Sequence, residues 1–305
     1  VRTALATLAT AVLTGSAAAV FLTGLAWVTG TRADTPWLPF LLPGAGFVLG
    51  WIWHRWGAPV ADGANQVVRR GQERADTLPA RMAPMVVLGT WATHLFGGSA
   101  GREGTAVQMG ASLADTAGRW CRVDAGRASL LIHVGIAAGF GAVFGTPFAG
   151  ALFALESIQP RRPALRHALP ALLAALFADA VCHAWGADHD PWPTLAPVVL
   201  TPSLFLRWLV LGTMLGGVAR LFLRTTTIVR THSRRWLPAL PWRMAAGGAA
   251  VVLLWQAVGT DDYLGLGVPV ILRSFEGPVP GAEVWGLKLV FTALTVGTGF
   301  VGGEV

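Results

Sequence analysis

Charge is what this chain has least of. Charged residues make up 13% of its 305 residues, about half the share of an ordinary globular domain. Apolar residues make up 53%, and the mean hydropathy is +0.55. That balance excludes a pair of soluble domains. It predicts one all-α domain over residues 1–305 that crosses a bilayer several times. Cysteine is nearly absent too. Cys121 and Cys182 stand far apart with no CxxC or Cys/His spacing, which predicts free thiols, no metal site and no cofactor. Acids are outnumbered: the net charge is +7, almost all of it arginine. In a soluble chain that excess would suggest nucleic acid. Here the arginines gather between apolar segments, where the positive-inside rule accounts for them, and no nucleic-acid partner follows.

The apolar segments run over about 4–30, 38–53, 82–97, 103–118, 128–158, 165–186, 198–223, 243–258 and 284–301. The first is too long for a signal-peptide core and reads as a membrane helix. Several others fall short of the ~20 residues of a simple span, and Gly or Pro interrupts many. Short, broken helices are the mark of a transporter or channel whose backbone lines a cavity. Three basic clusters (Arg69, Arg70, Arg74 and Arg81; Arg161, Arg162 and Arg166; Arg224, Arg230, Arg234, Arg235 and Arg243) are expected in the cytoplasm. The acidic loops at Asp188–Asp190 and Asp261–Asp262 are expected outside. A fourth cluster, Arg119, Arg122 and Arg127, fits this orientation less well. The basic stretch 224–243 reads as a connector.

What the chain does have is glycine set around acid. In Gly97-Gly98-Ser99-Ala100-Gly101-Arg102-Glu103-Gly104-Thr105 a Glu and an Arg stand among glycines between two apolar stretches. Charges at membrane depth are costly and mark ion or proton pathways. Residues after Glu103 read as a helix, whose first-turn amides and dipole end form an anion site. An acid there competes with an anion when charged and vacates the site when protonated, which points to proton-coupled anion movement. The chain ends on Gly297-Thr298-Gly299-Phe300-Val301-Gly302-Gly303-Glu304-Val305, a second Gly-rich break with one Glu. Paired breaks in two halves, placed at about 1–186 and 198–305, suggest an inverted repeat around a shared midplane site. The second half looks incomplete, as if the chain were a truncated fragment.

The run Gly101-Arg102-Glu103-Gly104-Thr105-Ala106-Val107-Gln108 resembles the gating-glutamate motif of the CLC family of anion channels and anion/proton antiporters, with Thr105 where that family usually has Pro. Residues Ala138 to Glu156, through Gly145-Thr146-Pro147, resemble a second CLC signature of helix, small-residue turn, Pro and helix. Tyr263-Leu264-Gly265-Leu266-Gly267 resembles a third. Thr105 and the ending Gly302-Gly303-Glu304-Val305 are similar to the fluoride-exporting branch. The resemblance implies an inverted-repeat helical fold, fluoride/proton antiport in a bacterial inner membrane, and a homodimer with one pathway per subunit. Glu103 becomes the gate and proton carrier. Gly104, Thr105, Gly303, Glu304 and Val305 become anion-site residues, with Asn65 in the turn Gly63-Ala64-Asn65-Gln66, before a short helix. Phe148 and Phe300 are candidates to line the pathway. The family often has a second, inner Glu beside Glu156, and here Ser157 stands in that place.

Plainer readings exist for each. Glu103 could simply satisfy helix amides. Arg102 could orient the loop, Phe148, Phe153 and Phe300 could pack helices, and Glu156 could pair with Arg161 or Arg162. His94 and His133 could be satisfied core residues. The rival functions are a chloride channel or chloride/proton antiporter, an intramembrane serine protease using Ser99 with His133 or His183, and a nonfunctional fragment.

Overall fold

A computed structural model describes residues 1–57, 60, 63–72, 77–158, 164–189, 193, 198–277 and 281–303. Arg74, Arg161, Arg162, Asp190, Glu304 and Val305 lie outside the described residues. The described chain is helical throughout: α1 (Arg2–Asp34), α2 (Leu42–Trp56), α3 (Gly63–Gly71), α4 (Met82–Leu95), α5 (Glu103–Trp120), α6 (Ala128–Phe144), α7 (Pro147–Ile158), α8 (Ala168–Ala184), α9 (Pro202–Trp236), α10 (Leu240–Val258), α11 (Val268–Glu276) and α12 (Ala282–Thr298). Four of the described helices are long and apolar enough to cross a bilayer: Arg2–Asp34, Ala125–Phe144, Leu165–Ala184 and Pro202–Trp236. The rest are short, as the Gly and Pro interruptions predict.

The apolar stretch 128–158 divides into α6 and α7 where the helix–turn–Pro–helix resemblance implies, because Gly145 takes a left-handed backbone (φ 66°) at the end of α6 and Pro147 begins α7. One expected segment is drawn differently. The stretch 224–243 is mostly not a connector. α9 continues through it to Trp236, and only Leu237-Pro238-Ala239 separate it from α10. No Gly or Pro falls between Val218 and Trp236 to stop a helix. Thr225 and Thr227 bond the carbonyls of Leu221 and Leu223 one turn back, so even these residues stay helical. The basic end packs on α12, where Ser233 donates to the Gly297 carbonyl at 3.4 Å.

Packing rests on small residues. In a bilayer, helix pairs gain little from apolar burial, and close backbone approach takes its place. Gly110, Gly135 and Gly139 bring α5 and α6 into backbone contact: a Cβ on any of them would strike a carbonyl of the facing helix. Gly46, Gly50 and Gly248 do the same between α2 and α10. The buried side chains form two apolar clusters. One is built largely from α1 and α3–α8 around Phe21, Met109 and Ile136, the other from α2, α10 and α12 around Leu42, Met244 and Phe291.

Candidate functional site

The two Gly-rich breaks meet. Gly101 and Gly303 form an antiparallel bridge, with Gly101 N–H donating to Gly303 O at 3.2 Å and Gly303 N–H to Gly101 O at 2.8 Å. Two loops about two hundred residues apart are thereby locked side by side at the start of α5. The third motif joins them through Gly265 N–H, which donates to Gly98 O at 3.2 Å. Ser99 N–H donates to Thr295 Oγ1 at 3.1 Å.

Glu103 begins α5. Its carboxylate lies against Gly101 and Gly303, so close that a Cβ on either glycine would collide with Oε2. Among the described residues no side chain caps this helix start, where the first-turn amides of Glu103, Gly104 and Thr105 have no partner within the helix. Its neighbours face opposite ways. Arg102 lines a cavity of about 510 Å³ with Arg32, Asp188, Asp261 and Asp262. Gly104 lines another of about 360 Å³ with Asn65, Gln108, Arg230, Arg243 and Phe300. On the positive-inside expectation the first is named the outer cavity and the second the inner one; Glu103 stands between their lining residues Arg102 and Gly104.

Asn65, Gly104 and Phe300, widely separated in sequence, thus line one inner cavity. Asn65 is in the first turn of α3, which already begins at Gly63, rather than in a turn before it. Gly303 is buried at the bridge. Thr105 is fully buried, and its hydroxyl meets Thr90 Oγ1 at 2.6 Å. Thr90 donates its single proton to Val86 O at 2.7 Å, so Thr105 supplies the proton between the two hydroxyls. Its hydroxyl is therefore a committed donor to α4, and its backbone N–H is what remains for an anion. Phe148 is 70% exposed on α7 and does not line either cavity. Glu156 is exposed near the end of α7. Arg102 stacks over the Phe144 ring at 4.9 Å.

Ser99 has neither candidate histidine as its partner. Its hydroxyl meets Lys288 Nζ and Thr292 Oγ1, each at 2.9 Å. His133 bonds Ser129 O and faces His167, while His183 bonds Asp179 O. His94 Nδ1 faces Thr90 O at 2.8 Å and Nε2 faces Ala100 O at 3.1 Å, which ties α4 to the Glu103 loop.

Two functional features escaped sequence reasoning. Lys288 on α12 holds Ser99 Oγ, Tyr263 O and Gly265 O at once, so one cation joins the Ser99 loop to the loop at Tyr263–Gly267. Its signal was available: it is the only lysine in the chain, and it stands inside an apolar helix. The other is Asp115, buried on α5. Its Oδ1 accepts from Arg70 Nε (3.1 Å) and Nη2 (2.9 Å); its Oδ2 accepts from Arg119 Nη1 (2.8 Å) and Leu78 N–H (2.7 Å). Arg70 belongs to α3, so this carboxylate sets the Asn65 helix against the Glu103 helix. Asp115→Ala would leave Arg70 and the Leu78 amide without that acceptor, at a cost of about 3 kcal/mol. A thermal-unfolding midpoint lowered by several degrees in detergent, with Asp115→Asn less affected, is the expected result.

Paired broken helices meeting over one acid, between two cavities in an all-helical bundle, define a polytopic membrane protein with a central polar site. Residues 44–305 match the family model described as voltage gated chloride channel, and the chain belongs to that family, the CLC proteins. It is 40% identical over 303 residues to the "Chloride/fluoride channel protein" of Pseudomonas syringae pv. tomato, covering 97% of this chain and 66% of that one. It is 27% identical over 289 residues to the "H(+)/Cl(-) exchange transporter ClcA" of Cronobacter sakazakii, covering 86% and 60%. The chain thus spans about two thirds or less of the length of these relatives. Among solved structures, a CLC-type fluoride/proton antiporter superposes with a TM-score of 0.92 at 38% identity, over 98% of this chain and 76% of that one. A slow cyanobacterial Cl-/H+ antiporter shares the fold, with a TM-score of 0.81 at 20% identity.

Proposed function

We propose that this chain carries proton-coupled anion exchange that exports fluoride, with Glu103 as gate and proton carrier. The observation that carries the reading is the place of Glu103: its carboxylate rests on the Gly101–Gly303 bridge, at an uncapped helix start, between two cavities. Charged, it holds the position an anion would take. Protonated, it loses its attraction for the amides and yields to the anion. The anion is then held by the amides of Gly104 and Thr105, with Gly303, whose own N–H donates to Gly101 O in the bridge, packed beside it and Asn65 facing it from the inner cavity. Glu304 and Val305 complete the cage on this reading. Fluoride gives up tightly held water on entry, and each unmatched donor would cost a few kcal/mol; closely spaced amides suit so small an ion. Phe300 lines the inner approach, whereas the exposure of Phe148 suits a lipid or subunit contact.

The choice of fluoride over chloride is supported by the relative named a chloride/fluoride channel protein and the neighbour named a fluoride/proton antiporter. A chloride channel or chloride/proton antiporter is the second reading, supported by the exchange-transporter relative. On either reading the halves lie at about 1–186 and 198–305. The exposed apolar face of α7 and α8, with Phe148, Leu152, Leu169, Leu173 and Phe177, is suited to a homodimer in a bacterial inner membrane. Protein reconstituted into liposomes loaded with fluoride tests the reading. Fluoride efflux is expected to drive proton uptake, read with a fluoride electrode and an internal pH dye. Chloride current without proton movement would replace it with the second reading.

A further inference from the structure

The end of α8 gathers three metal-ligating side chains outside the site described above. Asp179 and His183 are four residues apart, on one face of α8. His189 is brought back to them by the turn at Gly186, which adopts φ 75°. One ligand-capable atom from each of the three lies within 4.8 Å of the others, and the two imidazole rings are 4.9 Å apart.

Hydrogen bonds to backbone carbonyls fix one nitrogen of each ring. His183 Nδ1 lies 2.9 Å from the Asp179 carbonyl, and His189 Nε2 lies 2.8 Å from the Ala142 carbonyl. A carbonyl accepts only, so each of these nitrogens carries the proton. The other nitrogens, His183 Nε2 and His189 Nδ1, carry free lone pairs. A ligating histidine is typically held this way, its remote N–H anchored on a carbonyl.

Asp179 supplies an independent observation. Its Oδ1 is buried and has no hydrogen-bond partner, although it belongs to a helix long and apolar enough to span a bilayer. The side chain as a whole is 20% exposed, and the one buried oxygen is costly to leave without a partner. His183 Nδ1 is 3.5 Å from that oxygen, too far for a hydrogen bond. A divalent cation among the three side chains would neutralise the carboxylate and take a nitrogen from each ring.

We propose that Asp179, His183 and His189 bind one divalent transition metal of the zinc class. Two imidazoles and one carboxylate are borderline ligands suited to zinc, and three protein ligands leave a fourth position for water. The metal fastens the end of α8 to the α6–α7 turn, since His189 packs on Gly145 and bonds Ala142. It also fixes the segment carrying Asp188, which lines the outer cavity with Arg102 and Arg32. The low cysteine count excludes only the cysteine-type sites, and this one contains no cysteine.

The test is calorimetric titration of chelator-treated protein in detergent with Zn²⁺, followed by Co²⁺ absorption spectroscopy. One saturable site per chain is expected, with visible Co²⁺ bands of a four-coordinate nitrogen and oxygen site and a raised unfolding temperature. His183→Gln and His189→Gln should each lose the site while keeping the parent's metal-free unfolding temperature and elution volume. If either variant misfolds, Asp179→Asn in the same titration decides. Absence of a saturable site in the parent would overturn the proposal and leave only an ion pair between a protonated His183 and Asp179. Binding that persists in all three variants would overturn it equally.

Discussion

Glu103→Gln will abolish proton uptake during fluoride exchange. The amide has nearly the volume of the carboxyl group, so it fits the same space against Gly101 and Gly303, where no Cβ can be accommodated. The fold should survive. Two capacities are lost: the side chain can no longer bind a proton, and it can no longer present a negative charge to the first-turn amides of α5. Losing the first stops coupling; losing the second leaves the anion without its competitor. Coupled proton flux should fall by about 10² or more, the range lost when a positioned acid–base group is removed. Anion movement should continue as uncoupled leak or stall altogether. Parallel traces from the fluoride electrode and the pH dye separate these outcomes. Coupling equal to the parent's would remove Glu103 from the role and return it to an acid that merely satisfies helix amides.

The Gly-rich break around Glu103 could be read from sequence because its elements are local. A helix start, an acid and several glycines within a short run have a physical meaning wherever they occur. The echo at Gly297–Gly303 was legible as composition, but the Gly101–Gly303 bridge is a contact between loops about two hundred residues apart, and no periodicity encodes it. Thr105 shows the same limit from the other side. Its position marks it as a donor for the anion, yet its hydroxyl proton goes to Thr90 on the preceding helix. The misread connector at 224–243 has a different cause. A basic run suggests a loop, but charge sets which side of a membrane a segment occupies rather than whether it is helical. Asp115 was hidden because its partners come from α3, from α5 itself and from the loop at Leu78. The metal-class cluster was hidden because His189 reaches it only through the Gly186 turn.

Gly135→Ala will be strongly destabilising, because two helix backbones already touch there. A Cβ on Gly135 would strike the Gly110 carbonyl and lie 2.6 Å from Ala114 Cβ; one on Gly110 would strike the Gly135 carbonyl; one on Gly139 would strike the Ala106 carbonyl. Backbone cannot rotate aside as a side chain can, so the helices must separate, and α5 carries Glu103 at its start. Helix propensity works in the opposite direction, since Ala is better than Gly by roughly 1 kcal/mol in a helix interior. Overpacking of about 3 kcal/mol exceeds that gain. Gly30→Ala is the control, because Gly30 lies in α1 with no atom within 4 Å of its would-be Cβ; that substitution should be neutral or slightly stabilising. Gly110→Ala added to Gly135→Ala should cost less than the sum of the two, since both methyl groups demand the same separation of α5 from α6. Thermal unfolding of the parent, the three single variants and the double variant in one detergent measures this directly. Equal stability of Gly135→Ala and Gly30→Ala would mean that α5 and α6 can part without penalty, and the α5–α6 contact would then no longer be what fixes the position of Glu103.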